Sequence, residues 1–138
     1  MSTRCQVKVT QTGLSWEQSL MLYHHCDGYP EHMLACMQKA LTLMYAPKDM
    51  GTWLHTNAWQ AGRAGSVAAY LCHAHPAGFE PEAGFELHGD IEYFYELEVR
   101  NLKGGCVDDK PEWHVSYKDS DGNLVTQQIK PEAADGPH

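Results

Sequence analysis

Two short stretches hold most of the side chains that bind, ionise or stack: Tyr23-His24-His25-Cys26-Asp27-Gly28-Tyr29-Pro30, and later His88-Gly89-Asp90-Ile91-Glu92-Tyr93. Three kinds of chemistry use such residues. Zinc takes four N, S or O donors, often as closely spaced pairs; Cys72-x-x-His75 is one pair, and His24 with Cys26 would complete it if both lay on one strand face. A nucleophilic cysteine needs a base or a helix N-terminus to favour its thiolate, and Cys26 stands beside His24 and Asp27 just before a helix signal, with Asp90 a second acid from the later stretch. Recognition of a planar, charged small molecule needs aromatic stacking surfaces, carboxylates for hydroxyl groups, and guanidinium or backbone N–H for phosphate. Tyr23, Tyr29, Trp59, Phe94, Trp113 and Tyr117 supply the first, Asp27, Asp90 and Glu92 the second, and Arg63 or Arg100 the third.

Each stretch also has a purely structural reading. Asp27-Gly28-Tyr29-Pro30 is good strand-to-helix chemistry: Asp makes a local side-chain bond, Gly allows positive φ, and Pro presets φ for a helix start. His88-Gly89-Asp90 makes a competent turn before a strand. A cysteine sharing a face with Leu20 and Leu22 is commonly a small buried hydrophobe, and a histidine near a helix end commonly caps carbonyls. No zinc spacing is matched from end to end, so neither metal nor cofactor is expected. The functional weight falls on ligand binding by His25, Asp27, Tyr29, Arg63, Asp90, Glu92, Phe94 and Arg100, with no catalytic residue assigned.

The elements that must position these residues follow from hydrophobic periodicity. Arg4 to Thr10 alternates, with Cys5, Val7 and Val9 on one face, and predicts a half-buried strand. Trp16 to Cys26 reads as its hairpin partner, with Leu20, Leu22, His24 and Cys26 on one face. Pro30 suits the first turn of a helix whose stripe is Met33, Met37, Leu41 and Met44, with Leu34 beside them, closed by Pro47. Residues 48–65 carry conflicting signals and read as irregular. Ser66 is a candidate N-cap for a short helix from Val67 to about His73, and Ala77 to Gly84 reads as loop. Ile91, Tyr93, Tyr95, Leu97 and Val99 then alternate with Glu92, Phe94, Glu96, Glu98 and Arg100. Phe94 is the one apolar side chain on that charged face, which a stacking role or a covering partner would explain. Trp113, Val115 and Tyr117 alternate again, Asp121-Gly122 makes a turn, and Leu124 to Ile129 forms a last strand. The expected fold is α+β: an antiparallel sheet of about five strands with two helices on one face, a single domain over residues 1–130 and a disordered tail over 131–138.

Composition narrows the classes. Ten Lys and Arg against eighteen Asp and Glu give a net charge of −8, unsuited to long contact with a nucleic-acid backbone. No run approaches the roughly 20 apolar residues that span a bilayer, and Met1 to Thr12 lacks the basic-then-apolar order of a secretory signal. Five cysteines, odd in number and without CxxC spacing, read as free thiols. A cytoplasmic protein without membrane association is expected.

His25-x-Asp27-Gly28-Tyr29-Pro30 before a helix, and Gly89-Asp90-Ile91-Glu92-Tyr93-x-Tyr95 opening a strand, resemble motifs of small bacteriophage and prophage proteins, over Thr3 to Val99. More narrowly, the order of elements resembles the phage anti-Thoeris sponge proteins. That resemblance implies a homo-oligomer in the host cytoplasm that sequesters a cyclic ADP-ribose signal or a cyclic oligonucleotide, with arginine and aromatic residues around an inter-subunit pocket. Arg63, Phe94 and Arg100 are the residues offered for those roles, without a motif to match them position by position. The chain departs from a sponge in its acidic charge and its three arginines, Arg4, Arg63 and Arg100. Two other readings remain open at this stage: an acidic protein-interaction module using Glu92, Glu96 and Glu98 against a host protein, and a zinc- or cysteine-dependent enzyme.

Overall fold

The computed structural model describes residues 3–11, 18–45, 64–74, 78–100 and 112–131. Along them run β1 (Cys5–Gln11), β2 (Gln18–His24), α1 (Pro30–Tyr45), α2 (Ala64–Ala74), β3 (Phe79–Pro81), β4 (Tyr93–Arg100), β5 (Glu112–Lys118) and β6 (Leu124–Ile129). The strands form one sheet in the order β3-β2-β1-β4-β5-β6. The α+β class is as expected, with two differences. There are six strands, because the expected loop over Ala77 to Gly84 contains β3, which pairs with the end of β2. The sheet is also not wholly antiparallel. β1 and β4 run parallel, Cys5 opposite Tyr93 and Val9 opposite Leu97, which the long helical connection between β2 and β4 permits.

The pleat sorts the side chains. Cys5, Val7 and Val9 of β1 lie level with Leu22 and Leu20 of β2 and with Tyr95 and Leu97 of β4. Next to them, Leu97 and Val99 meet Val115 and Trp113, and Trp113 meets Ile129. These form one buried cluster with Met33, Met37 and Leu41 of α1 and Val67 and Leu71 of α2, so both helices cover the same face. The methionine stripe of α1 is core, as its spacing predicts; the side chain of Met44 is outside the described residues.

Three boundaries differ from the sequence reading. β2 stops at His24 rather than Cys26, so the face alternation ends there: His24 is buried, whereas His25, Cys26 and Asp27 are exposed. α2 begins at Ala64, which puts Ser66 inside its first turn instead of at the cap. β4 begins at Tyr93, two residues after Ile91. Residues 48–63 of the expected irregular segment, including Arg63 and Trp59, and the tail from residue 132 lie outside the described residues, as does His75, whereas residues 64 and 65 belong to α2.

On the other face, the sheet is half covered. After β3 the chain from Glu82 to Asp90 crosses over β1 and β2 as a strap, and Gln6 anchors it. Gln6 Nε2 donates to Glu82 Oε1 at 2.7 Å and to the Glu86 carbonyl at 3.0 Å, while His88 N–H donates to Gln6 Oε1 at 3.0 Å. Gln6 and Met21, placed by alternation on the open face, are therefore buried. A buried amide with both ends bonded is satisfied, and it fixes the path of the strap. No helix among the described residues is long and apolar enough to cross a membrane.

Candidate functional site

The two chemistry-rich stretches do meet, at the sheet end where β2 finishes and β1 and β4 begin. Thr3 and Arg4 lie between them. Gly28 N–H donates to the Thr3 carbonyl at 2.8 Å, and Glu92 N–H donates to the Arg4 carbonyl at 2.8 Å. Arg4 is paired with Asp90 at 2.7 Å, and the Tyr95 hydroxyl, buried in the core, donates to the Gly28 carbonyl at 2.7 Å.

Seen closely, most of this contact builds the fold. Asp27, not Gly28, has the positive φ, at 58°, a left-handed conformation that Asp tolerates better than most residues. Gly28 is required for a different reason: a Cβ there would come within 2.9 Å of Cys5 Cβ, Cys5 Sγ and the Thr3 carbonyl. The carbonyl of Tyr29 accepts from His32 and Met33, and Pro30 opens α1. Tyr29 itself is exposed and its ring lies 6.1 Å from that of His32.

A polar relay crosses the surface above. Tyr23 Oη lies 2.9 Å from His25 Nδ1, the Tyr23 ring meets His88 edge-on at 5.2 Å, and His88 Nε2 reaches Glu82 Oε2 at 2.8 Å. Desolvation holds the Tyr23 phenol above its ordinary pKa; Arg4 opposes this and Asp90, Glu80 and Glu82 add to it. Tyr23 thus serves as a neutral hydrogen-bonding phenol rather than a phenolate.

Among the described residues the metal and thiol readings find no supporting geometry, and His75 of the second proposed pair lies outside them. His24 stacks on Phe79 at 4.5 Å and bonds through Nδ1 to the Gly78 carbonyl at 2.9 Å, beneath the helices, whereas Cys26 faces the other way into solvent. Their expected shared face fails because the strand ends between them, and Cys26 is not the buried hydrophobe that alternation implies. Among the described residues, no three His, Cys, Asp or Glu are grouped to hold a metal ion. Burial pushes the Cys36 and Cys72 thiols up and Cys5, with a further push from Cys36, up to about 12.

Of the other predicted residues, Glu92 just precedes β4, and Phe94 and Arg100 lie on it, well apart. Phe94 sits near its start and Arg100 at its end, six residues on, so about 20 Å apart in an extended strand. Arg100 pairs with Glu98.

Around Phe94 the sheet forks. β4 stays registered with β1 from Tyr93 onward, and β5 stays registered with β6 as far as Lys118 opposite Leu124. The β4–β5 ladder, however, stops at Glu96 opposite Ser116. Beyond that pair the backbone ladder is not continued, and residues of both strands line a groove of about 630 Å³. Phe94 lies half-buried in it, with Ile91 and Leu124 as apolar neighbours, Glu92, Glu96 and Asp119 as carboxylates and Lys118 as the cation. Behind it, Tyr93 stacks on Tyr95 at 6.1 Å, and Tyr95 meets Tyr117 at a tilt at 5.2 Å. Sequence reasoning found Phe94 and Glu92 but missed Lys118, Asp119 and Leu124, which look like ordinary hairpin residues until the fork is known.

A scan against protein-family models, a search of curated proteins and a search of solved structures return no match to this chain.

Proposed function

We propose that this chain is a non-enzymatic binding protein that holds a small, ring-bearing ligand in the sheet fork, and that the ligand is of the nucleotide-derived signalling class implied by the phage-protein resemblance. The observation that carries this is the fork itself: the ladder between two strands ends where a half-buried Phe94 presents its ring beside three carboxylates and one ammonium. A planar ring stacks on Phe94, ribose-type hydroxyls donate to Glu92, Glu96 or Asp119, and Lys118 takes one phosphate. Sequestering such a signal would blunt a host defence without any chemical step. Among the described residues the groove has one cation, Lys118, which favours ligands with few phosphates over long oligonucleotides.

The site differs from the one read in the sequence. His25, Asp27, Tyr29 and Asp90 belong to the clamp at the sheet end, Arg100 lies at the far end of β4, and Glu92 and Phe94 remain. The acidic-module reading is weakened by Lys8, Arg100 and Lys118, which share the face with Glu96 and Glu98 and leave no uniform acidic patch.

Thermal unfolding with a panel of cyclic ADP-ribose isomers, cyclic dinucleotides and cyclic trinucleotides tests the proposal. A ligand at about a hundred times its Kd adds roughly 2.7 kcal/mol, a rise in Tm of several degrees. The expected result is a rise with at least one ligand that Phe94→Ala abolishes. No rise with any of them would refute the nucleotide assignment.

A further inference from the structure

The two edges of the sheet are unlike. β3 is three residues long and ends in Pro81, flanked by Glu80 and Glu82, and so is blunted against further pairing. β6, at the other edge, is six residues long with neither charge nor proline. Among the described residues its only strand partner is β5; Lys130 and Pro131 follow it, and Gln38 of α1 donates to the Lys130 carbonyl at 3.2 Å, which leaves the strand itself uncovered up to Ile129.

We infer that β6 is a self-pairing edge, and that two copies of this chain join antiparallel through it about a two-fold axis at Gln127. A symmetric interface must be self-complementary, and β6 is so when centred there. Val125 then meets the partner's Ile129 on the helix-covered face, Thr126 meets the partner's Gln128 on the open face, and Gln127 meets itself. The register places no like charges opposite each other, and the two apolar pairs continue both cores across the junction. An axis perpendicular to the sheet keeps the helices of both copies on one side, because residues an even number apart share a face.

The same register completes the fork. Leu124, at 69 % the most exposed large apolar side chain described, borders the Phe94 groove and falls opposite the partner's Lys130. The aliphatic stem of that lysine covers Leu124 and its ammonium joins Lys118 at the groove mouth, giving the acidic groove a second cation. The dimer itself stands without the ligand reading; the added cation matters only if that reading holds.

Sedimentation equilibrium of the full chain without ligand is the test. The expected mass is twice the 15.5 kDa of the chain. Gln127→Lys, and separately Gln127→Glu, set like charges against each other on the axis; Gln127 is exposed in the single chain, so both should keep the wild-type circular dichroism while their mass shifts toward that of one chain. A monomeric wild type, or a dimer unmoved by either folded variant, overturns the inference. If the dimer is shown but no ligand raises Tm, the ligand reading alone fails.

Discussion

At the residue scale, Asp27 and Gly28 divide a task that looks in the sequence like one turn. The DGYP run is legible as a turn before a helix because Pro30 can only open α1, but which residue takes positive φ depends on packing against Thr3 and Cys5, which no local pattern contains. Two substitutions separate the roles. Gly28→Ala should destabilise by about 1–3 kcal/mol, because its methyl group meets Cys5 and the Thr3 backbone. Asp27→Gly should be neutral or slightly stabilising, since it relieves the left-handed strain, whereas Asp27→Val should cost about 1–2 kcal/mol. Urea midpoints at pH 7 measure all three. Cys5 makes a separate prediction. Its thiol ionises near pH 9 when unfolded but is pushed up to about 12 in the fold, chiefly by burial. The unfolded state therefore releases its proton first, and stability falls as pH rises above 9, by roughly 1.4 kcal/mol per pH unit for that group until pH approaches 12. Cys5→Ala should make that part of the pH profile less steep, leaving the share of the other raised thiols, Cys36 and Cys72.

At the scale of elements, alternation reveals β1, β4 and β5 and the methionine spacing reveals α1, because each presents one clear apolar face, while β6 shows only through the Asp121-Gly122 turn before it. β3 was hidden: Phe79-Glu80-Pro81 is too short to alternate and carries a proline that argues against a strand. The parallel pairing of β1 with β4 was hidden too, since antiparallel and parallel neighbours have the same two-residue period. The strap was the hardest element to see, because Gln6 has the type and spacing of a solvent-facing residue. Its two-ended bonding predicts a specific failure. Gln6→Leu should cost about 1–3 kcal/mol by leaving the His88 N–H and the Glu86 carbonyl without their partner. Hydrogen exchange should accelerate at the His88 amide and much less at core amides of β1. Uniform acceleration would mean that Gln6 supports the whole sheet and not the strap alone.

For the whole molecule, the two stretches that dominate the sequence act as a clamp joining β2, β1 and β4, and the binding site we propose lies instead in the fork beside Phe94. That placement was not readable beforehand. The fork exists because the ladder ends three residues short of the start of β4 and two short of the end of β5, a property of long-range register and not of any motif. Phe94 was visible as the odd residue on a charged face; Lys118 and Leu124 gained meaning only from their position across the gap. Loss of the Phe94 ring should remove about 1–3 kcal/mol of stacking, which weakens binding roughly tenfold or more while leaving the unfolding midpoint of the free protein nearly unchanged. The most direct test of the central claim is an amide-resolved NMR titration with the nucleotide panel. Binding in the fork predicts shifts concentrated in residues 91–96 and 116–124, absent in Phe94→Ala; shifts centred on His25 and His88, or none with any ligand, would contradict it.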